Sequence, residues 1–69
     1  LNLGKVVKKY RKQQDISQRE LAERTDLSEV YIGYLEQNRR VNPTLETLGR
    51  VAVALNTTVT VIMQEAEQL

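Results

Sequence analysis

Leu3, Val6, Val7 and Tyr10 recur at three- and four-residue spacing with lysines filling the other face, a pattern that predicts a first helix over residues 3–13. Asn2 is placed to cap it, and Gln14 and Asp15 form a short link in which Asp15 tolerates left-handed backbone. The second predicted helix, residues 17–24, has a stronger start signal. Ser17 is its N-cap and Glu20 stands three residues on, the spacing of a capping box, while Ile16 and Leu21 occupy the flanking positions of a hydrophobic staple. Leu21 and Ala22 turn inward; Arg19, Glu23 and Arg24 turn outward. Thr25, Asp26 and Leu27 then make a tight turn that ends with Leu27 in the core.

Ser28 caps a third helix, residues 28–37, in which Ile32 and Leu35 form the buried stripe and Glu29, Val30, Gly33, Tyr34 and Gln37 project. Gly33 is costly in a helix interior, by roughly 1 kcal/mol against Ala, so it either admits a close approach or is merely tolerated. Asn38 is expected to end this helix in the left-handed region, with residues 39–43 as a loop. A fourth helix over 44–55 begins at the Thr44 cap and carries Leu45, Leu48, Val51, Ala52 and Leu55 on its apolar face, with Asn56 at its end. The last segment is ambiguous, because β propensity alone makes TVTVIM (58–63) a strand. A lone strand has no partner, however, and Val59, Ile62, Met63 and Ala66 also satisfy helical spacing, which predicts a fifth helix over 58–67.

At 69 residues the chain reads as one all-α domain, residues 1–69, near the lower limit for folding without a disulfide or a metal. It has no cysteine and no histidine, which excludes disulfide staples, Cys/His zinc, a Ser-His-Asp triad and imidazole acid–base chemistry. Asp15, Glu20, Glu23 and Asp26 read as capping or solvated carboxylates rather than a catalytic dyad or calcium loop. The chain is therefore expected to be no enzyme and to need no cofactor and no metal. No apolar run is long enough for a membrane span and no secretory segment is recognisable, so the cytoplasm or nucleoid is the expected location.

Net charge is only +1, yet residues 1–40 hold nine basic against six acidic side chains, and residues 41–69 hold Arg50 alone against three glutamates. Ordinary solvation accounts for such an asymmetry, and so does an N-terminal half turned toward phosphates. The second account gains from the segment 16–36, two short helices joined by a turn too tight for a hairpin of antiparallel helices. Two helices crossing steeply are a means of presenting one of them to the DNA major groove. Candidate base-reading residues are Gln18 at the start of the second helix and Ser28, Glu29, Val30, Gly33 and Tyr34 on the third. Glu29 suits a cytosine N4 and Val30 a thymine methyl. Arg19, Asn38, Arg39 and Arg40, with the backbone N–H groups after the third helix, are candidate phosphate contacts; for Arg39 and Arg40 a solvated loop pair is the plainer alternative. Tyr10 reads as core. Arg11 and Glu36 are spaced to form a charge-assisted structural pair between the first helix and the end of the third.

With Arg11, SQRELA (17–22), YIGYLEQN (31–38), NPTLETL (42–48) and ALN (54–56) in this order, the chain resembles the Cro/C1-type helix-turn-helix family of phage repressors and related bacterial regulators over about 60 residues. The resemblance implies a compact five-helix, lambda-repressor-like domain whose helices 2 and 3 form the helix-turn-helix. It implies a repressor that binds double-stranded operator DNA of two-fold symmetry as a homodimer. Dimer contacts in such domains implicate the loop before helix four and the last helix, here Val41, Pro43, Thr57, Val59 and Ile62. Asp26 and Asn38 stand where the family often has Gly, and Val30 and Gly33 where it often has polar readers. An antitoxin-type or other protein-interaction module of the same fold, meeting a partner such as a toxin, is the alternative expectation.

Overall fold

The computed structural model describes residues 1–39 and 42–69, so the expectations for Arg40 and Val41 lie outside the described residues. Its helices are α1 (Leu3–Gln13), α2 (Gln18–Thr25), α3 (Glu29–Glu36), α4 (Leu45–Ala54) and α5 (Val59–Glu67). The segment of strand propensity at 58–63 is helical apart from its cap, because Ile62 and Ala66 on one face are buried against α1 and α4. Tertiary burial overrides the local preference of the β-branched residues there.

Each helix begins in the same way. Asn2, Ser17, Ser28, Thr44 and Thr58 each accept, through a side-chain oxygen, the N–H of the residue three positions on. At Ser17 the capping box is complete: Glu20 N donates to Ser17 Oγ at 3.0 Å and Ser17 N to Glu20 Oε1 at 3.3 Å. The four helix ends that lead into another helix also share one device. Asp15, Asp26, Asn38 and Asn56 have φ of 56–58°, and the next residue's N–H returns to a carbonyl five residues back, as in Arg39 N to Tyr34 O at 2.9 Å. This is the Schellman arrangement with Asp or Asn in place of Gly, residues whose short polar side chains tolerate left-handed backbone.

α1 packs on α3 and α5, α2 on α3 and α4, and α4 on α5. One core cluster joins Val7, Ile16, Leu21, Ala22, Ile32, Leu35, Val51 and Leu55; a second joins Val6, Ala52, Ile62 and Ala66, and Leu3 and Tyr10 pack against both. Leu45 departs from the expected apolar face of α4. It is 74% exposed, lying in the first turn of the helix beyond the reach of the core that takes up Leu48 and Val51. Tyr10 packs against the core as expected but is only half-buried, with its hydroxyl donating to Glu65. Among the described residues no single helix is long and apolar enough to cross a membrane.

Two contacts set how α1 meets its neighbours. The N-terminus of α1 abuts the C-terminal end of α3 so closely that a Cβ on Gly4 would lie 2.5 Å from the carbonyl oxygens of both Leu35 and Glu36. Only a residue without a side chain permits that approach. Further along α1, Lys9 and Tyr10 both donate to the Glu65 carboxylate on α5. The hydrogen bonds from Lys9 and Tyr10 hold the Glu65 carboxyl below its usual range, and the bond to Glu65 raises Tyr10.

Gly4→Ala forces α1 off α3 and is expected to cost about 2–3 kcal/mol, a fall in Tm on the order of 10 °C or more for a chain of this size; thermal unfolding followed by circular dichroism measures it. Glu65 has a depressed folded pKa, so its stabilising contribution is complete above the unfolded carboxylate value and lost as pH falls through the folded one. Glu65→Gln is therefore expected to unfold at lower temperature than the parent at pH 7, and the gap to close as both are titrated into acid. A gap that persists undiminished at low pH contradicts this account.

Candidate nucleic-acid interface

α2 and α3 meet at a turn whose shortness follows from Asp26. Its left-handed backbone lets Leu27 N return to Ala22 O at 3.0 Å, and Ser28 starts α3 two residues later. Leu27, half-buried, packs against the core under the turn. Thr25 is helical rather than part of the turn, and its buried hydroxyl donates to Leu21 O at 2.7 Å.

Beneath the two helices lies a buried polar network. Arg11 Nε donates to Glu36 Oε2 at 2.6 Å and its terminal Nη2 to Glu36 Oε1 at 3.1 Å, while Nη1 donates to Ile16 O at 2.8 Å. One guanidinium thus holds the end of α3 and the link before α2. Gln18 completes the set, with Nε2 donating to Glu36 Oε1 at 3.0 Å. No buried side-chain nitrogen or oxygen among the described residues lacks a partner. That satisfies the condition on which a buried ion pair is tolerated.

Above the network is a shallow hollow of about 460 Å³ between α2 and α3, lined by Gln18, Glu29, Val30, Gly33, Tyr34, Gln37 and Arg39. Val30 is 65% exposed at its rim and Tyr34 40%. Gly33 forms its floor: a Cβ there would meet nothing nearer than Gln18 Oε1 at 4.0 Å, so internal packing does not require this glycine. The Arg39 guanidinium lies 5.2 Å from the centre of the Tyr34 ring, and Nη1 donates to Gln37 Oε1 at 3.3 Å, which places a stacked cation at one edge. Ser28 is exposed at the start of α3 with its Oγ accepting from Tyr31 N at 3.0 Å. Arg19 is exposed on α2 and bridges Glu23 at 3.3 Å. Gln18, Ser28, Glu29, Val30, Gly33 and Tyr34 therefore lie on α2, at the start of α3 or along it, on the side that bears the hollow, and Arg39 stands at its end.

Asn38 does not belong to that surface. Its Oδ1 accepts from Gly4 N at 2.9 Å and its Nδ2 donates to Asn2 Oδ1 at 2.8 Å, which turns the amide away from the hollow and onto α1. The backbone N–H groups of Asn38 and Arg39 are likewise occupied, by Leu35 O and Tyr34 O, so they are not the free phosphate donors expected after α3. Ile62 is also misplaced by the sequence reading: it is 0% exposed, packed with Val6, Ala52 and Ala66, and cannot form a dimer contact. Its helical spacing marked it as apolar but could not say which side of α5 faced the molecule. Pro43, Thr57 and Val59 are half-buried. Gly4 and the Gln18–Glu36 bond escaped the sequence reading, since a glycine in a first turn and a glutamine eighteen positions from a glutamate carry no local signal.

Two short helices joined by a tight turn over a buried Arg–Glu tie, with three further helices as support, define an all-α helix-turn-helix module. The chain matches the helix-turn-helix family over residues 7–62 and belongs to its Cro/C1-type branch. It is 30% identical over 66 residues to the HTH-type transcriptional regulator SinR of Bacillus subtilis (strain 168), a match that takes in 96% of this chain and 60% of SinR. The chain thus spans well under two thirds of that relative's length. Among solved structures it is similar to the clp gene regulator ClgR from Corynebacterium glutamicum, with TM-score 0.90, 31% identity and coverage of 97% of this chain and 70% of that one. It is also similar to SinR, the master regulator for biofilm formation, in complex with DNA, with TM-score 0.83, 31% identity and coverage of 88% and 97%.

Because Gly33 faces open space, Gly33→Ala is expected to stabilise the free protein by about 0.5–1 kcal/mol through helix propensity alone. A denaturant midpoint that falls on substitution would show instead that the backbone at Gly33 is packed against a neighbour.

Proposed function

We propose that this chain binds double-stranded DNA sequence-specifically as a regulator of transcription, with α3 in the major groove. The observation that carries the reading is the exposed face of α3, where Val30 projects and Gly33 leaves a hollow that the fold itself does not need. A helix about 10–12 Å across fits a groove about 12 Å wide, and among the described residues no element covers α3 on that side. Similarity to SinR, which has been solved with DNA, supports it.

In this reading Glu29 accepts from a cytosine N4, Val30 packs on a thymine methyl, and Ser28 and Tyr34 flank them. Gly33 lets the edge of a base pair approach the helix backbone. Phosphates are met by Arg19 and Arg39, and by the N–H groups of Gln18 and Arg19 at the start of α2, ahead of the Glu20 N–H that Ser17 caps. Arg39 is pre-positioned by its stack on Tyr34, so less side-chain freedom is lost on binding. Two copies bind a two-fold symmetric operator, with half-sites about one helical turn apart or a multiple of it. Their contact lies around Pro43, Thr57 and Val59. Repression is the outcome when such a site overlaps a promoter.

A second reading, a module that meets another protein, is favoured by one observation. Leu45 and Val53 on α4 are 74% and 76% exposed, flanking Gly49 on the side away from the core.

Selection of bound duplex from a random pool tests the function and reports half-site spacing. Arg39→Ala is expected to weaken binding to all sequences alike and to lower the slope of log affinity against log salt by about 1. Glu29→Ala and Val30→Ala are expected to relax preference at single positions, with removal of one thymine methyl costing the parent about fourfold and the Val30→Ala chain nothing. A chain with no salt-dependent DNA binding at low ionic strength, and none to its own upstream region, refutes the proposal.

A further inference from the structure

The bond between Gln18 and Glu36 constrains what Gln18 can offer to a ligand. Glu36 is bound in bidentate fashion by the Arg11 guanidinium, and its carboxylate has acceptors only. The atom of the Gln18 amide that faces it at 3.0 Å is therefore the nitrogen, a chemical necessity rather than a choice between two similar orientations. Oε1 is consequently turned outward, and it is this oxygen that lies 4.0 Å from the point where a Gly33 Cβ would stand, over the floor of the hollow. The polar atom held above that floor is an acceptor.

Phosphate oxygens are acceptors too, so Oε1 cannot bond one, although the second N–H of Nε2, left over from the bond to Glu36, can. In the major groove the donors on base edges are the exocyclic amino groups, N6 of adenine and N4 of cytosine; guanine O6, thymine O4 and the purine N7 atoms all accept. We propose that Gln18 reads an exocyclic amino group in the major groove through Oε1, with Glu36 as the positioning residue that keeps the amide from turning over. The inference rests on the DNA-binding reading above. It gives the buried Arg11–Glu36 pair a part in specificity: Arg11 orients Glu36, Glu36 orients Gln18, and Gln18 selects against a carbonyl at one base position. Gly33 belongs to the same device, because a side chain at that position would crowd the space in which the amino group meets Oε1.

The test uses the 69-residue chain and the duplex it selects. Each adenine of a half-site is replaced in turn by purine, which lacks the N6 amine, and each cytosine by 2-pyrimidinone, which lacks the N4 amine. Affinity is measured for the parent and for Gln18→Ala. The expected result is one position per half-site at which loss of the amine costs the parent about fivefold and costs Gln18→Ala nothing further. Whether the purine or the pyrimidinone arm responds tells adenine from cytosine. Glu36→Gln lets the Gln18 amide turn over, and it is expected to reduce the preference at that one position to within about twofold while the others stand. Because that substitution unbalances a buried pair, hydrogen exchange of the Gln18 side-chain amide in the parent is the second measure, with slower exchange expected than for the exposed Gln64. Equal sensitivity of parent and Gln18→Ala to amine loss at every position overturns the inference. So does a folded Glu36→Gln chain that weakens at all sites evenly with its preference intact, or Gln18 exchange as fast as that of Gln64. Failure to bind any duplex overturns the DNA-binding function itself, and this inference with it.

Discussion

The bidentate pair between Arg11 and Glu36 is the interaction on which the arrangement of the helices depends. Both side chains are almost wholly withdrawn from water, at a desolvation cost that their attraction offsets only when every remaining hydrogen-bonding position is filled. Here Ile16 O and the Gln18 amide fill them. The pair is better understood as a fixture than as a source of net stability: removal of either partner strands a buried charge, typically at a cost of about 3–5 kcal/mol, whereas the intact set orients three segments at once. α1, the link into α2 and the end of α3 all take their positions from one guanidinium. The helix-turn-helix is therefore held from below, and its outer face is left free of structural duties.

A chain this short has little core to spend on irregular joints, and its ends show how that is managed. A side-chain cap satisfies one first-turn N–H group of every described helix, and left-handed Asp or Asn residues close four of the C-terminal ends. Using Asp and Asn rather than Gly keeps side chains available for other tasks. Asn38 is the clearest case: the same residue that reverses the chain after α3 ties that end to Asn2 and Gly4 of α1. Asn56 similarly reaches Gln14 at 2.9 Å, joining the end of α4 to that of α1. Glycine is reserved for a different purpose, the near-contact of α1 with the α3 carbonyls at Gly4 and the open floor at Gly33.

Much of the site was legible in the residues because caps and spacing are local. Ser17 with Glu20, Asp26 just before the apolar Leu27, and Ser28 before a buried stripe place both helices and their turn to within a residue. Exposure of Val30 and Tyr34 also follows from the position of Ile32 and Leu35, since a short helix has only one inward side. What local pattern could not reveal is competition for the same polar group. Asn38 was equally suited to phosphate and to α1, and only the closeness of α1 decided between them. Ile62 had the helical spacing of a core residue while the family resemblance implied a dimer contact, and the packing of α5 across α1 and α4 settled it.

The amino-acid sequence by itself determined the first four helices, their order and the type of joint between them, because each rests on interactions within about five residues along the chain, whereas α5 is helical through burial of Ile62 and Ala66 against α1 and α4. It also determined that chemistry by thiol or imidazole is excluded, a matter of composition alone. The tertiary structure decided which polar groups are consumed inside the molecule and which remain to meet a ligand. Gln18, Glu36 and Arg11 are separated by up to twenty-five positions and become one network only when α1 closes under α2 and α3. Their orientation, and hence the face that Gln18 turns outward, is a property of the folded chain, because a carboxylate can dictate the direction of an amide only when the two are held at hydrogen-bonding distance.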